Sequence, residues 1–125
     1  VKYAVIWIDH KEARIVKLDD ESPRYQTDHV EAQTGHLGEG HARILAEPKY
    51  LEDLARRLSE LDEVLVTGPG TAKNELVSFI ERKHPAWRAK IAKVEDSDQP
   101  TDGELADQGR KLLGAAGRMR GLHVR

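Results

Sequence analysis

The chain contains no cysteine, which removes disulfide frameworks, thiolate zinc sites and cysteine nucleophiles together. Long apolar runs are also missing. The longest, Tyr3 to Ile8, falls far short of the ~20 residues that span a bilayer. No charged-then-apolar secretory segment stands at the start. Internal repeats and low-complexity tracts are absent as well. A soluble, cytoplasmic protein is the expectation. With 125 residues the chain is the size of one domain. At this size roughly two-thirds of the unfolded surface can be buried, so neither a metal nor a disulfide is needed for stability.

What is present is unevenly charged. The net charge of −2 gives no general reason to expect a polyanionic partner. From Gly109 to the end, however, the charges are Arg110, Lys111, Arg118, Arg120 and Arg125 with no acid, a +5 tail on a −7 body. Such asymmetry marks contact with nucleic acid in some proteins, and in others a helix end whose cations suit the macrodipole.

Tyr3-Ala-Val-Ile-Trp-Ile-Asp9 is a β-branched and aromatic run, and Ala13 to Leu18 alternates in period two. His10-Lys11-Glu12 between them suits a hairpin loop. Pro23 is expected to break the second strand, with a more polar third strand over Arg24 to Ala32. Residues 33–41 hold three glycines and no apolar period, so they form a loop. Pro48 opens a helix whose stripe is Leu51, Leu54, Ala55, Leu58 and Leu61. Glu63 to Thr67 is a short buried strand closed by Gly68-Pro69-Gly70. Thr71 is expected to cap a second helix with Ala72, Leu76, Phe79 and Ile80 inward. Lys90 to Glu95 forms a fifth strand, and the capping box Thr101-Asp-Gly-Glu104 starts a third helix.

The order β-β-β-α-β-α-β-α leaves few topologies. Three strands on short loops pair as an antiparallel meander, and strands reached through helices add in parallel. The result is an α/β, ribonuclease H-like mixed five-stranded sheet, order 3-2-1-4-5, with three main helices. It is expected to occupy residues 1–113, followed by a basic tail over 114–125 that is expected to be flexible. The third strand is expected at an exposed edge, which permits dimerisation without demanding it.

Three stretches carry a family resemblance. Ala4-Val-Ile-Trp-Ile-Asp-His-Lys-Glu-Ala-Arg-Ile-Val16 is similar to the opening hairpin of the middle domain of archaeal and eukaryotic class-one release factors and of pelota. Val64-Leu-Val-Thr-Gly-Pro-Gly-Thr-Ala-Lys-Asn-Glu-Leu76 resembles that domain's strand, turn and Lys-bearing helix start, and Phe79-Ile80 and His84-Pro85 continue the match. Pro100 to Leu105, with Trp7 to Arg14, resembles a short bacterial group called translational machinery protein. The resemblance implies a non-catalytic, translation-related module whose partner is RNA or the ribosome, with no nucleotide cofactor. Class-one release factors carry Gly-Gly-Gln on a loop of this domain. The sequence here has none, and the corresponding region reads Gly35-His-Leu-Gly-Glu-Gly-His41.

Several residues could serve a site. Gly68, Gly70, Thr71 and Lys73 form a turn at a helix N-terminus, a place hospitable to phosphate, although the Walker spacing is missing; the glycines would equally serve a tight turn and close packing. Arg110, Lys111, Arg118, Arg120 and Arg125 could neutralise RNA phosphates. Gly35, His36, Gly38, Gly40 and His41 make a partner-contact loop. His29, His36 and His41 could approach a zinc ion, but nothing in their spacing imposes a ligand geometry, so no metal is expected. Asp9, Asp96 and Asp98 would stand on one sheet edge, as in nucleases that hold two divalent ions, with Asp102 beyond. Asp98 and Asp102 are as well explained by turn and capping preferences. The competing functions are therefore a metal-dependent nuclease and a protein-interaction domain without RNA. Trp7 suits core packing better than base stacking, while Trp87 stands nearer the surface.

Overall fold

The computed structural model describes residues 2–32 and 46–113. Its strands are β1 (Lys2–Ile8), β2 (Glu12–Asp19), β3 (Ser22–Glu31), β4 (Glu63–Gly68) and β5 (Ile91–Asp96). Its helices are α1 (Pro48–Arg57), α2 (Ala72–Lys83) and α3 (Asp102–Leu112). The sheet has five strands in the order β3-β2-β1-β4-β5. The meander β1-β2-β3 is antiparallel, and β4 and β5 join β1 in parallel. Val5 faces Val16 on one side and Leu65 on the other, so β1 is the central strand.

Period-two alternation sends β1 residues to two cores. Ala4, Ile6 and Ile8 join Leu54, Leu58, Leu76 and Ile80 beneath α1 and α2. Tyr3, Val5 and Trp7 join Val16, Leu18, Leu65 and Leu105 beneath α3. All but the first residue of β1 are buried, which explains its uninterrupted apolar run. β5, an edge strand, buries little beyond Ile91 and is correspondingly more polar.

Three local expectations need correction. Pro23 lies within β3 rather than between strands. It is tolerated because β3 is the sheet's edge, next to a register irregularity between Lys17 and Asp19. The first helix ends at Arg57, and Leu58–Glu60 tightens into a 3-10 turn that turns Leu61 extended toward the core. A second 3-10 segment, Pro85–Lys90, precedes β5 and claims Lys90. Pro85 sits in its first turn, where a missing N–H costs nothing.

Candidate functional site at the carboxyl edge of the sheet

Because β1, β3, β4 and β5 run in one direction, their carboxyl ends share one edge. In open α/β sheets that edge is where ligands bind. Three turns meet there: 9–11, 68–71 and 97–100. Ala32 and Ala46, the described residues on either side of 33–45, are tied to it as well. Ala32 N–H donates to the Lys11 carbonyl at 2.8 Å, and Ala46 N–H donates to Glu75 at 2.8 Å.

Gly68 makes the edge possible. A Cβ on it would stand 2.1 Å from the Ile8 carbonyl oxygen, so β4 can pass β1 this closely only with no side chain. Gly70 is different, since nothing lies within 4 Å of its Cβ position. Thr71 does not cap α2 with its side chain. Its hydroxyl donates instead to Glu75 Oε2 at 3.1 Å.

Lys73 points inward, with 5 % of its surface exposed. Its ammonium donates to the Gly70 carbonyl and pairs with Asp96 Oδ1. The cation therefore ties the glycine turn to the end of β5, and its hydrogen-bonding capacity is directed there. Ser97 completes the tie: its N–H donates to Gly68 O at 3.0 Å and its hydroxyl accepts from Thr67 at 2.8 Å.

The three carboxylates expected on the edge do not converge on one point. Asp9 Oδ1 accepts the N–H groups of Lys11 and Glu12, both at 2.8 Å, and so shapes the hairpin turn. Asp96 is held by Lys73. Asp98 contributes its backbone carbonyl, which accepts from Trp7 Nε1 at 2.8 Å. Asp102 pairs with Arg14 at 2.8 Å, and Arg14 also donates to Pro100 O and lies over the Trp7 ring. Among the described residues no group of three His, Asp or Glu is arranged to hold a metal ion. His29 pairs with Glu12 at 2.6 Å. Trp7 is buried, whereas Trp87 is half-buried and stacks on His84 at 4.2 Å.

The densest polar cluster was not visible in the spacing of residues. Glu75, in the first turn of α2, receives His10 Nε2 at 2.6 Å, the Thr71 hydroxyl, and the Ala46 N–H. Burial alone would raise its carboxyl, but these donors outweigh burial and hold it below the usual carboxylate range. Close by, the buried Tyr50 hydroxyl donates to Asp9 O at 3.0 Å; burial and the Asp9 charge push its pKa up. One carboxylate thus joins the β1–β2 turn, the entry to α1 and the start of α2.

The glycine loop residues Gly35, His36, Gly38, Gly40 and His41, and the tail residues Arg118, Arg120 and Arg125, lie outside the described residues. Arg110 and Lys111 lie in the last turn of α3, where cations complement the helix dipole.

The fold is a ribonuclease H-like α/β domain, and comparison with known proteins sharpens that class. No family model matches the chain. A pelota homologue of Methanocaldococcus jannaschii is 30% identical over 92 residues, which is 72% of this chain and 26% of the relative. The chain therefore spans about a quarter of the length of the curated relative it matches. Among solved structures, Archaeoglobus fulgidus Pelota aligns with a TM-score of 0.64 and 15% identity, over 96% of this chain and 33% of that one. The archaeal translation termination factor aRF1 aligns with a TM-score of 0.63 and 20% identity, over 98% and 38%. The chain is similar in sequence to pelota and shares its fold with a domain-sized part of both proteins. Among the described residues, no helix is long and apolar enough to cross a membrane.

Proposed function

We propose that this chain is a translation-related, ribosome-associated module that binds RNA and carries out no chemistry of its own. The observation that carries this reading is the 30% identity to a pelota homologue over 92 residues. A sheet of the same fold as those of pelota and archaeal aRF1 supports it. The lack of a Gly-Gly-Gln sequence argues against peptide release by the class-one release-factor route. The separate engagements of Asp9, Asp96 and Asp98 argue against a two-metal nuclease centre.

In this reading Arg110, Lys111, Arg118, Arg120 and Arg125 neutralise phosphates, so affinity falls as salt rises. Gly70 and Thr71, exposed at the start of α2, supply local contacts at the carboxyl edge, and Gly35, His36, Gly38, Gly40 and His41 supply further contacts to the partner. Lys73 supports that edge from within. The protein acts in the cytoplasm, where ribosomes are. Co-sedimentation with purified ribosomal subunits tests the reading. Binding at low salt that weakens on removal of residues 114–125 is the expected result. Undiminished binding by the shortened chain would remove the tail's role. A magnesium- or manganese-dependent cleavage of RNA would restore the nuclease alternative.

A further inference from the structure

Helices α1 and α2 lie side by side on the same face of the sheet, and a groove of roughly 620 Å³ runs along α2 beside the start of α1. Its floor is apolar, formed by Leu51 and Phe79, and Asn74 and Ser78 stand along its wall. Arg82 and Lys83, the last residues but one and the last of α2, mark one end.

The charge balance of the groove is one-sided. Glu75 is the sole acid among its described lining residues, and that carboxylate already accepts from His10, Thr71 and Ala46. Arg82 lies over the Phe79 ring at 5.9 Å and makes no ion pair among the described residues. Lys83 has no partner among them either. An apolar trough closed by two cations that make no ion pair among the described residues is complementary to an apolar stripe bordered by acids.

We propose that this groove docks an acidic amphipathic helix of a partner protein. Twelve residues of α2 extend about 18 Å, the length of roughly three turns of a helix laid alongside. Apolar residues at i and i+4 of such a helix meet Leu51 and Phe79, and Asp or Glu near its end meets Arg82 and Lys83. An RNA strand fits less well, because phosphates leave the Leu51–Phe79 floor uncovered and neither floor residue offers an exposed ring for a base. This surface lies on the opposite face of the sheet from α3, which carries Arg110 and Lys111, and does not depend on RNA binding.

The test is fluorescence polarisation with the full chain and two dye-labelled helical peptides. One carries two leucines four residues apart among glutamates; its twin has lysine at each glutamate. The acidic peptide binds saturably, and the lysine twin binds at least about tenfold more weakly. Ser78→Trp, which fills the trough from an exposed position, and the double change Arg82→Glu with Lys83→Glu each weaken the acidic peptide by about tenfold or more. Lys93→Glu, on β5, leaves it unchanged. Circular dichroism of each variant checks that the fold is kept. No binding of the acidic peptide, equal binding of the twin, or no effect of Ser78→Trp would overturn the proposal. So would displacement of the peptide by an RNA hairpin, or self-association of the chain that Ser78→Trp abolishes.

Discussion

Nε2 of His10, in the turn after the central strand, lies 2.6 Å from Oε2 of Glu75 in the first turn of α2. Sixty-five residues separate the two in sequence. Their contact ties the opening hairpin to the helix that follows the Gly-Pro-Gly bend. With the Ala46 N–H on the other carboxylate oxygen, it also sets where α1 begins.

Replacing Glu75 by alanine removes three hydrogen bonds and strands a partly buried backbone N–H. Charge-assisted bonds of this kind contribute about 1.5–3 kcal/mol each, and the losses overlap because they share one carboxylate. Urea unfolding of Glu75→Ala should show a stability loss of about 2–4 kcal/mol, and Glu75→Gln a smaller one. A loss under about 0.5 kcal/mol, the range of ordinary surface changes, would contradict the role given to Glu75.

The acid limb of stability follows from the same contact. Glu75 is held below the ordinary carboxylate value by the donors that outweigh its burial, and Glu52 is held down chiefly by the hydrogen bond from His84. A depressed folded-state pKa contributes stability that is fully present above the unfolded value, which is 4.5. It is lost as pH falls through the lower folded value. Stability should therefore decline below that range, and Glu75→Gln should flatten the decline. Parallel acid limbs for the two proteins would speak against the assignment.

The two glycines of the bend should respond oppositely. Gly68→Ala places a methyl 2.1 Å from a backbone oxygen that cannot move without disturbing β1. It should cost more than about 2 kcal/mol, the scale of strain at an over-determined backbone position. Gly70→Ala enters open space and Gly70 has no positive φ. It should be neutral or stabilising by up to about 1 kcal/mol, by restricting the unfolded chain. Chemical denaturation of both variants decides it. Similar losses at the two positions would refute the division of roles.

Lys73→Gln separates support from recognition. Its buried ammonium is engaged by the Gly70 carbonyl and by the exposed carboxylate of Asp96, so the change should lower the melting temperature while leaving RNA affinity within about twofold after correction for folded fraction. A large loss of affinity without a change in melting would instead place Lys73 in direct contact with phosphate.

Much of the fold was readable because burial writes itself into periodicity. The β1 run, the alternation in β2 and the stripe of α2 each name their inward faces, and Thr101 forms the capping box its spacing announced. The pairing senses followed from the short loops and helical crossovers, and the order 3-2-1-4-5 from matching them to the ribonuclease H-like arrangement. The third strand's boundaries were less legible because Pro23 acts as a breaker in general and is tolerated only at an edge. The site was readable in outline, as the Gly-Pro-Gly bend, but its chemistry was not. The distance between His10 and Glu75, or between Arg14 and Asp102, is set by tertiary packing, and no local spacing encodes it. Lys73 looked like a phosphate ligand from its place after the turn; its burial depends on β5 arriving beside β4.

Sedimentation of the full chain with purified ribosomal subunits across a salt series tests the proposed role most directly. Co-migration at low salt, with an affinity that falls steeply as salt rises and less steeply once residues 114–125 are removed, is the result expected of a module held by phosphate contacts. A chain that stays in the supernatant at every salt concentration would contradict it.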